Sequence, residues 1–130
     1  MSSKPTIQFK EAGGFISGVC GATSLVDKEG YMVKKHTDGT WILCSSQGEY
    51  GFVLVHGAAV GGHISVAPVG AEGFGKTNSA ITTYLDELTT GTDGMFEAAA
   101  SGDYVSAMNL DVGTASGDYL RIVTVGYFKP

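Results

Sequence analysis

The sequence predicts a mainly β fold, a compact antiparallel β-barrel or sandwich of about eight short strands with one helix. Three observations lead there. Glycine supplies 20 of 130 residues and charged side chains only 16%, against usual shares of ~7% and ~25%, so the chain is turn-rich and lightly charged. His63 to Val69 alternates Ile64 and Val66 against Ser65 and Ala67, the period of two that a half-buried strand requires because successive side chains point to opposite faces. Asp38-Gly39 stands between two apolar runs, a favoured hairpin turn since both residues tolerate positive φ.

A chain of this length needs only one core. Residues 1–12 read as an extended N-terminal arm and residues 13–130 as a single β-rich domain. In the arm, Thr6-Ile7-Gln8-Phe9 places Ile7 and Phe9 on one face, and Gly13-Gly14 ends it. Phe15 to Cys20 is a short apolar run, and Gly21 to Gly30 is loop. Tyr31 to His36 and Thr40 to Ser45 flank the Asp38-Gly39 turn, with Trp41 and Leu43 on one face and Ile42 and Cys44 on the other, so that strand is covered on both sides. Tyr50 to His56 and His63 to Val69 fold back on each other through Gly57 to Gly62 as the central hairpin.

The helix is expected over residues 78–90. Ile81, Tyr84, Leu85 and Leu88 fall at i, i+3, i+4 and i+7, one stripe of a helix; Thr77, Asn78 or Ser79 can cap its start, and Gly91 sits where a C′ glycine belongs. Beyond it, Ala100-Ser-Gly-Asp-Tyr-Val105 recurs as Ala115-Ser-Gly-Asp-Tyr-Leu120. Each copy opens a strand through the same turn, glycine giving backbone freedom and aspartate a local hydrogen bond to the main chain.

A net charge of −5 with eight scattered cations leaves no basic patch for nucleic acid. No apolar run approaches the ~18 residues of a membrane span, and MSSKPTIQF has no apolar signal core, so the chain is expected to be made in a cytoplasm and not exported. Cys20 and Cys44 are the only cysteines; without a CxxC they read as buried free thiols.

Gly70-Ala-Glu-Gly-Phe-Gly75-Lys76-Thr77 matches the phosphate-loop pattern GxxxxGK[ST]. In a nucleotide-binding protein its amides would cradle phosphates, with Lys76 on their outer oxygens and Thr77 on Mg²⁺. A parallel sheet with several crossover helices does not fit the remaining chain, so a glycine-rich connection is the better reading. His36, His56 and His63 lack metal-ligand spacing, and Asp103, Asp111 and Asp118 read as turn residues. No nucleophile elbow or triad is legible, and no catalytic residue, metal or cofactor is expected.

The pattern Gly30-Tyr31-Met32-Val33, then Asp38-Gly39-Thr40 with Leu43, then Glu49-Tyr50-Gly51-Phe52-Val53-Leu54, then Gly61-Gly62-His63-Ile64-Ser65-Val66 to Gly70 resembles the order seen in tailed-bacteriophage head decoration, or cement, proteins. The helix at 78–90 and the phosphate-loop-like connection depart from it. The resemblance implies a β-rich virion protein, often a homotrimer, that clamps neighbouring major capsid proteins on the head surface. On this reading Thr6, Ile7, Gln8 and Phe9 add as a strand to a capsid protein. Two other readings are a small nucleotide-binding or hydrolysing protein using Gly70, Gly75, Lys76 and Thr77, and a receptor- or glycan-binding β module with Trp41, Tyr31 and Tyr50 as its first aromatic candidates.

Overall fold

The computed structural model describes residues 14–130, and the predicted arm contacts Thr6, Ile7, Gln8 and Phe9 lie outside the described residues. Among the described residues ten strands follow one another: β1 (Ile16–Val19), β2 (Met32–Lys35), β3 (Trp41–Leu43), β4 (Phe52–His56), β5 (His63–Val66), β6 (Glu72–Lys76), β7 (Glu87–Thr90), β8 (Phe96–Ala98), β9 (Tyr104–Asn109) and β10 (Tyr119–Phe128). They form two antiparallel five-stranded sheets, β1-β5-β4-β2-β3 and β6-β10-β9-β7-β8. Met32, Cys44, Val53 and Ala67 of the first sheet share one core with Leu88, Phe96, Leu120 and Ile122 of the second, which gives the sandwich its apolar centre. A second core fills the other face of the first sheet, around Leu25, Val33, Trp41, Leu54, Ile64 and Val66.

The two hairpins expected from sequence are present: β2 pairs with β3 across Asp38-Gly39, and β4 pairs with β5. Trp41 and Cys44 fall in different cores, so the β3 segment is covered on both faces. Both cysteines are free and buried. The repeated turns behave alike, since Asp103 accepts from the Ala100 amide at 2.8 Å and Asp118 from the Ala115 amide at 3.1 Å.

Of barrel and sandwich the structure takes the sandwich; what is corrected is the strand count, ten among the described residues instead of about eight, and the helix. Neither sheet closes into a barrel; each curls until its edge strands touch through one parallel bridge, Cys20 to Trp41 and Thr77 to Phe96. The helix at 78–90 is absent, and among the described residues there is no helix at all. Thr77 and Ile81 make isolated bridges, residues 84–85 turn, and β7 begins at Glu87. Ile81 and Leu88 point into the core whereas Tyr84 and Leu85 face solvent, so the apparent stripe is two inward residues interrupted by an outward pair. Leu85 has φ 55°, a left-handed conformation that cannot continue a helix. The β-branched pairs Thr82-Thr83 and Thr89-Thr90 also favour extended chain.

The two halves of the chain share one topology. Strands β1 to β5 and β6 to β10 have the same spatial order, and corresponding residues lie about 55 positions apart. The bridge partners Cys20 and Trp41 correspond to Thr77 and Phe96. The amide of Gly21 donates to Trp41 O at 2.8 Å as that of Asn78 does to Phe96 O at 2.9 Å. At Gly18 a Cβ would run into the Trp41 ring, and at Gly75 into the Phe96 ring, so each half seats one aromatic ring on a bare backbone. The turns agree too: Thr40 N reaches Asp38 Oδ1 at 2.9 Å and Met95 N reaches Asp93 Oδ1 at 3.0 Å. This longer repeat, not the short echo of Ala100 to Val105, organises the molecule.

Candidate interaction surfaces

Two exposed apolar features stand out, at opposite ends of β9. The first is an aromatic chain across the seam between the sheets. Glu49 Oε2 accepts from the Ser45 and Ser46 amides at 2.8 and 2.7 Å and closes the turn that delivers Tyr50. Asp103 closes the corresponding turn ahead of Tyr104, and Gln47 Nε2 ties the two turns by donating to Asp103 Oδ2 at 2.9 Å. The Tyr50 ring lies 4.5 Å from Tyr104 and 5.2 Å from Phe52, while Phe128 meets Tyr104 edge-on at 5.1 Å. Such tilted and edge-to-face contacts are the favoured geometries for aromatic pairs. Burial, then the neighbouring Tyr50, raises the Tyr104 phenol above its ordinary pKa.

Tyr50 and Phe128 remain 52% and 66% exposed, and Val69 is exposed beside them. Between Phe52, Val69, Tyr104 and Ser106 lies a cleft of about 10 Å³, room for a single water. The buried Ser106 hydroxyl has no hydrogen-bond partner. The described chain enters β1 at Ile16, which pairs with Val66.

The second feature is the tip Tyr84-Leu85, 65% and 60% exposed. Its anchor is Asn109, fully buried at the end of β9. Asn109 Oδ1 accepts from the Asp86 amide at 2.8 Å, Nδ2 donates to Thr83 O at 2.7 Å and to Asp111 O at 2.9 Å, and the main-chain oxygen accepts from Leu85 N at 2.9 Å. A leucine with positive φ is a sterically costly choice. Sequence reasoning missed this tip because its two apolar residues were assigned to a helical stripe; the run of threonines around them was the available contrary signal.

The phosphate-loop candidates fall on a strand and its flanking turns. Glu72–Lys76 is strand β6, paired with β10 from Glu72↔Val123 to Lys76↔Tyr119. The Lys76 amide is committed to Gly30 O and the Thr77 amide to Asp118 O. Gly70 is an exposed turn residue with φ 95°, Gly75 faces Phe96, and Thr77 is buried. Lys76 Nζ lies 5.3 Å from the Tyr119 ring and 5.6 Å from that of Tyr31, a pair of cation–π contacts. Neither an amide cradle nor a following helix exists for phosphate. Among the glycan candidates, Trp41 is only 4% exposed, and Tyr31 lies under Lys28 and Lys76; Tyr50 alone presents an open ring. Among the described residues no three His, Cys, Asp or Glu side chains converge as a metal site, and Asp111 faces Arg121 at 3.4 Å.

These features describe a two-sheet β protein with an exposed aromatic patch at one end of β9 and an exposed apolar tip at the other. Among solved structures the chain is similar to the N base of the head fiber gp8.5 of bacteriophage phi29. The TM-score is 0.61 at 15% identity, covering 86% of this chain and 95% of that one, so the likeness is one of fold. No family model and no curated protein matches the sequence.

Proposed function

We propose that this protein is a structural, non-catalytic component of a tailed-phage virion, made in the host cytoplasm, that binds the outer surface of the head as a homotrimer and cements neighbouring major capsid proteins. The observation that carries this reading is the fold shared with a phage head-fiber base over nearly the whole of that structure. It agrees in kind with the strand-and-glycine order from Gly30 to Gly70, which resembles head decoration proteins. The surface suits the role as well. Tyr50, Val69 and Phe128 are exposed together and offer an apolar contact surface on the described domain, in addition to the contact expected of Thr6 to Phe9. Burying an exposed apolar side chain of this size contributes roughly 1.5–3 kcal/mol, and one patch per subunit multiplies the effect through effective concentration.

Pelleting of the purified protein with expanded heads is the test. The full chain is expected to saturate the heads and to slow their disruption by heat or chelator. Deleting residues 1–10, or replacing Phe128 with Ser, should lower occupancy at least tenfold while leaving the melting temperature within a few degrees. A full chain that stays in the supernatant at every concentration would refute the proposal, and variants that bind like the wild type would place the contact elsewhere.

A further inference from the structure

The duplicated topology makes the packing of one half on the other informative about surfaces that the chain leaves open. Inside the molecule the first half offers the segment Gly30-Tyr31-Met32 and the second half covers it. Gly30 O accepts from Lys76 N at 3.0 Å, Met32 N donates to Gly94 O at 2.7 Å, and the Phe74 ring stands against Gly30. Gly30 and Met32 are buried as a result. The contact is heterologous: it joins the 30–32 face of one half to the β6 and Gly94 side of the other.

Each partner face has a counterpart whose apolar part stays open, although the Glu87 amide, counterpart of Met32 N, is taken by Asp86 Oδ1 at 2.9 Å. The main-chain bonds Gly30 N to Leu54 O, 3.0 Å, and Leu85 N to Asn109 O, 2.9 Å, identify Leu85 as the counterpart of Gly30. Both residues have positive φ, 88° and 55°. Leu85 is nevertheless exposed, with Tyr84 beside it. The strand registers make Ser17 and Val19 the counterparts of Phe74 and Lys76. Ser17 is exposed and Val19 is 37% exposed, and Gly39, the counterpart of Gly94, has open space above it. The molecule thus carries, at two different places, the uncovered forms of the two surfaces that already fit each other internally.

We propose that a second copy of this chain docks head to tail, its Tyr84-Leu85 tip seated on the Ser17 to Val19 edge and the Asp38-Gly39 turn of its neighbour, in the relative placement that the two halves adopt within the chain. Such an interface is not self-complementary. It closes into a ring when the rotation per copy permits and otherwise extends as a filament. It also gives a reason for a leucine at a left-handed position: an apolar tip, fixed by Asn109, loses little freedom when it is buried in a neighbour. The inference rests on the internal duplication and stands without the capsid.

Light scattering on the full chain, with no heads present, tests it. Leu85→Asn keeps the left-handed backbone, since asparagine tolerates positive φ, and removes the apolar tip. Val19→Asp disables the opposite face. The wild type is expected to associate with rising concentration, and each variant alone to stay monomeric with an unchanged circular dichroism spectrum. Mixed in equal amounts, the variants should form a one-to-one dimer and nothing larger, because each retains the face that the other has lost. A wild type that remains monomeric at all concentrations, variants that assemble as it does, or a mixture that stays monomeric would overturn the proposal. Pelleting the monomeric variants with heads reads the capsid proposal separately.

Discussion

Replacing Gly75 with alanine probes the seat that the second half of the chain makes for Phe96. The added methyl would enter the Phe96 ring, with Ile122 Cδ1 a further neighbour at 3.4 Å. Phe96 is fully buried in the shared core and has little space to yield, so overpacking should cost about 2 kcal/mol, within the ~1–3 kcal/mol typical of an inserted methylene. Phe96→Ala should itself cost roughly 3–5 kcal/mol. With the ring gone, the same Gly75→Ala change keeps only an ordinary contact with Ile122, at a φ that is not positive, and should stabilise by about 0.5 kcal/mol through the unfolded chain. The coupling in the cycle is then about 2.5 kcal/mol. Urea unfolding of the wild type, both single variants and the double variant measures it, with Phe96→Leu in place of Phe96→Ala should the latter fail to fold. Gly18→Ala against Trp41 should show a coupling of the same sign. Equal costs for Gly75→Ala in both backgrounds would refute the packing argument.

Three further outcomes are expected. Lys76→Ala should leave the melting temperature unresponsive to ATP or GTP, as in the wild type; a ligand at 100-fold excess over its Kd would stabilise by ~2.7 kcal/mol, and such a shift lost in the variant would restore the nucleotide reading. For Glu49, burial works against ionisation, but the hydrogen bonds from Lys34, Ser46 and Ser45 and the Lys34 charge outweigh it and hold the carboxyl below its ordinary 4.5. Its stabilisation is therefore complete above that value and is lost as pH falls through the lower folded value. Glu49→Gln should cost about 1 kcal/mol at pH 7 and nothing extra in acid, and a difference that does not shrink on acidification would contradict this. Burial, helped by Glu49, pushes the Cys44 thiol up to about 12, so alkylation at pH 8 should proceed only through unfolding; labelling of native protein at the rate of a free thiol would show the site to be open.

The legible parts of this fold are those whose signal is local. Asp38-Gly39 and the Ser-Gly-Asp turns announced themselves because glycine and aspartate are chosen there for backbone reasons that any context preserves. The alternation of Ile64 to Ala67 marked β5 for the same kind of reason. What misled was a coincidence of spacing. Ile81, Tyr84, Leu85 and Leu88 have helical intervals, yet the two ends of the set belong to the core and the middle pair to the surface, a distinction held by contacts over twenty residues away, Asn109 and Gly113 among them. The duplication was visible in part, His36-Thr-Asp-Gly-Thr-Trp41 against Gly91-Thr-Asp-Gly-Met-Phe96 and Ser46-Gln-Gly-Glu-Tyr50 against Ala100-Ser-Gly-Asp-Tyr104. Its core positions hide it, because Leu54 and Asn109, or Cys20 and Thr77, fill corresponding places with different chemistry. The aromatic patch needed the third dimension, since Tyr50, Tyr104 and Phe128 come together only when the two sheets meet at their seam.

Electron cryomicroscopy of expanded heads reconstructed with and without added protein tests the capsid assignment most directly. The account predicts extra density of two-sheet β shape on the outer surface, contacting at least two neighbouring capsid subunits, with the end bearing Tyr50, Val69 and Phe128 turned toward the shell. Identical reconstructions under saturating protein, or density that touches a single subunit through another face, would contradict it.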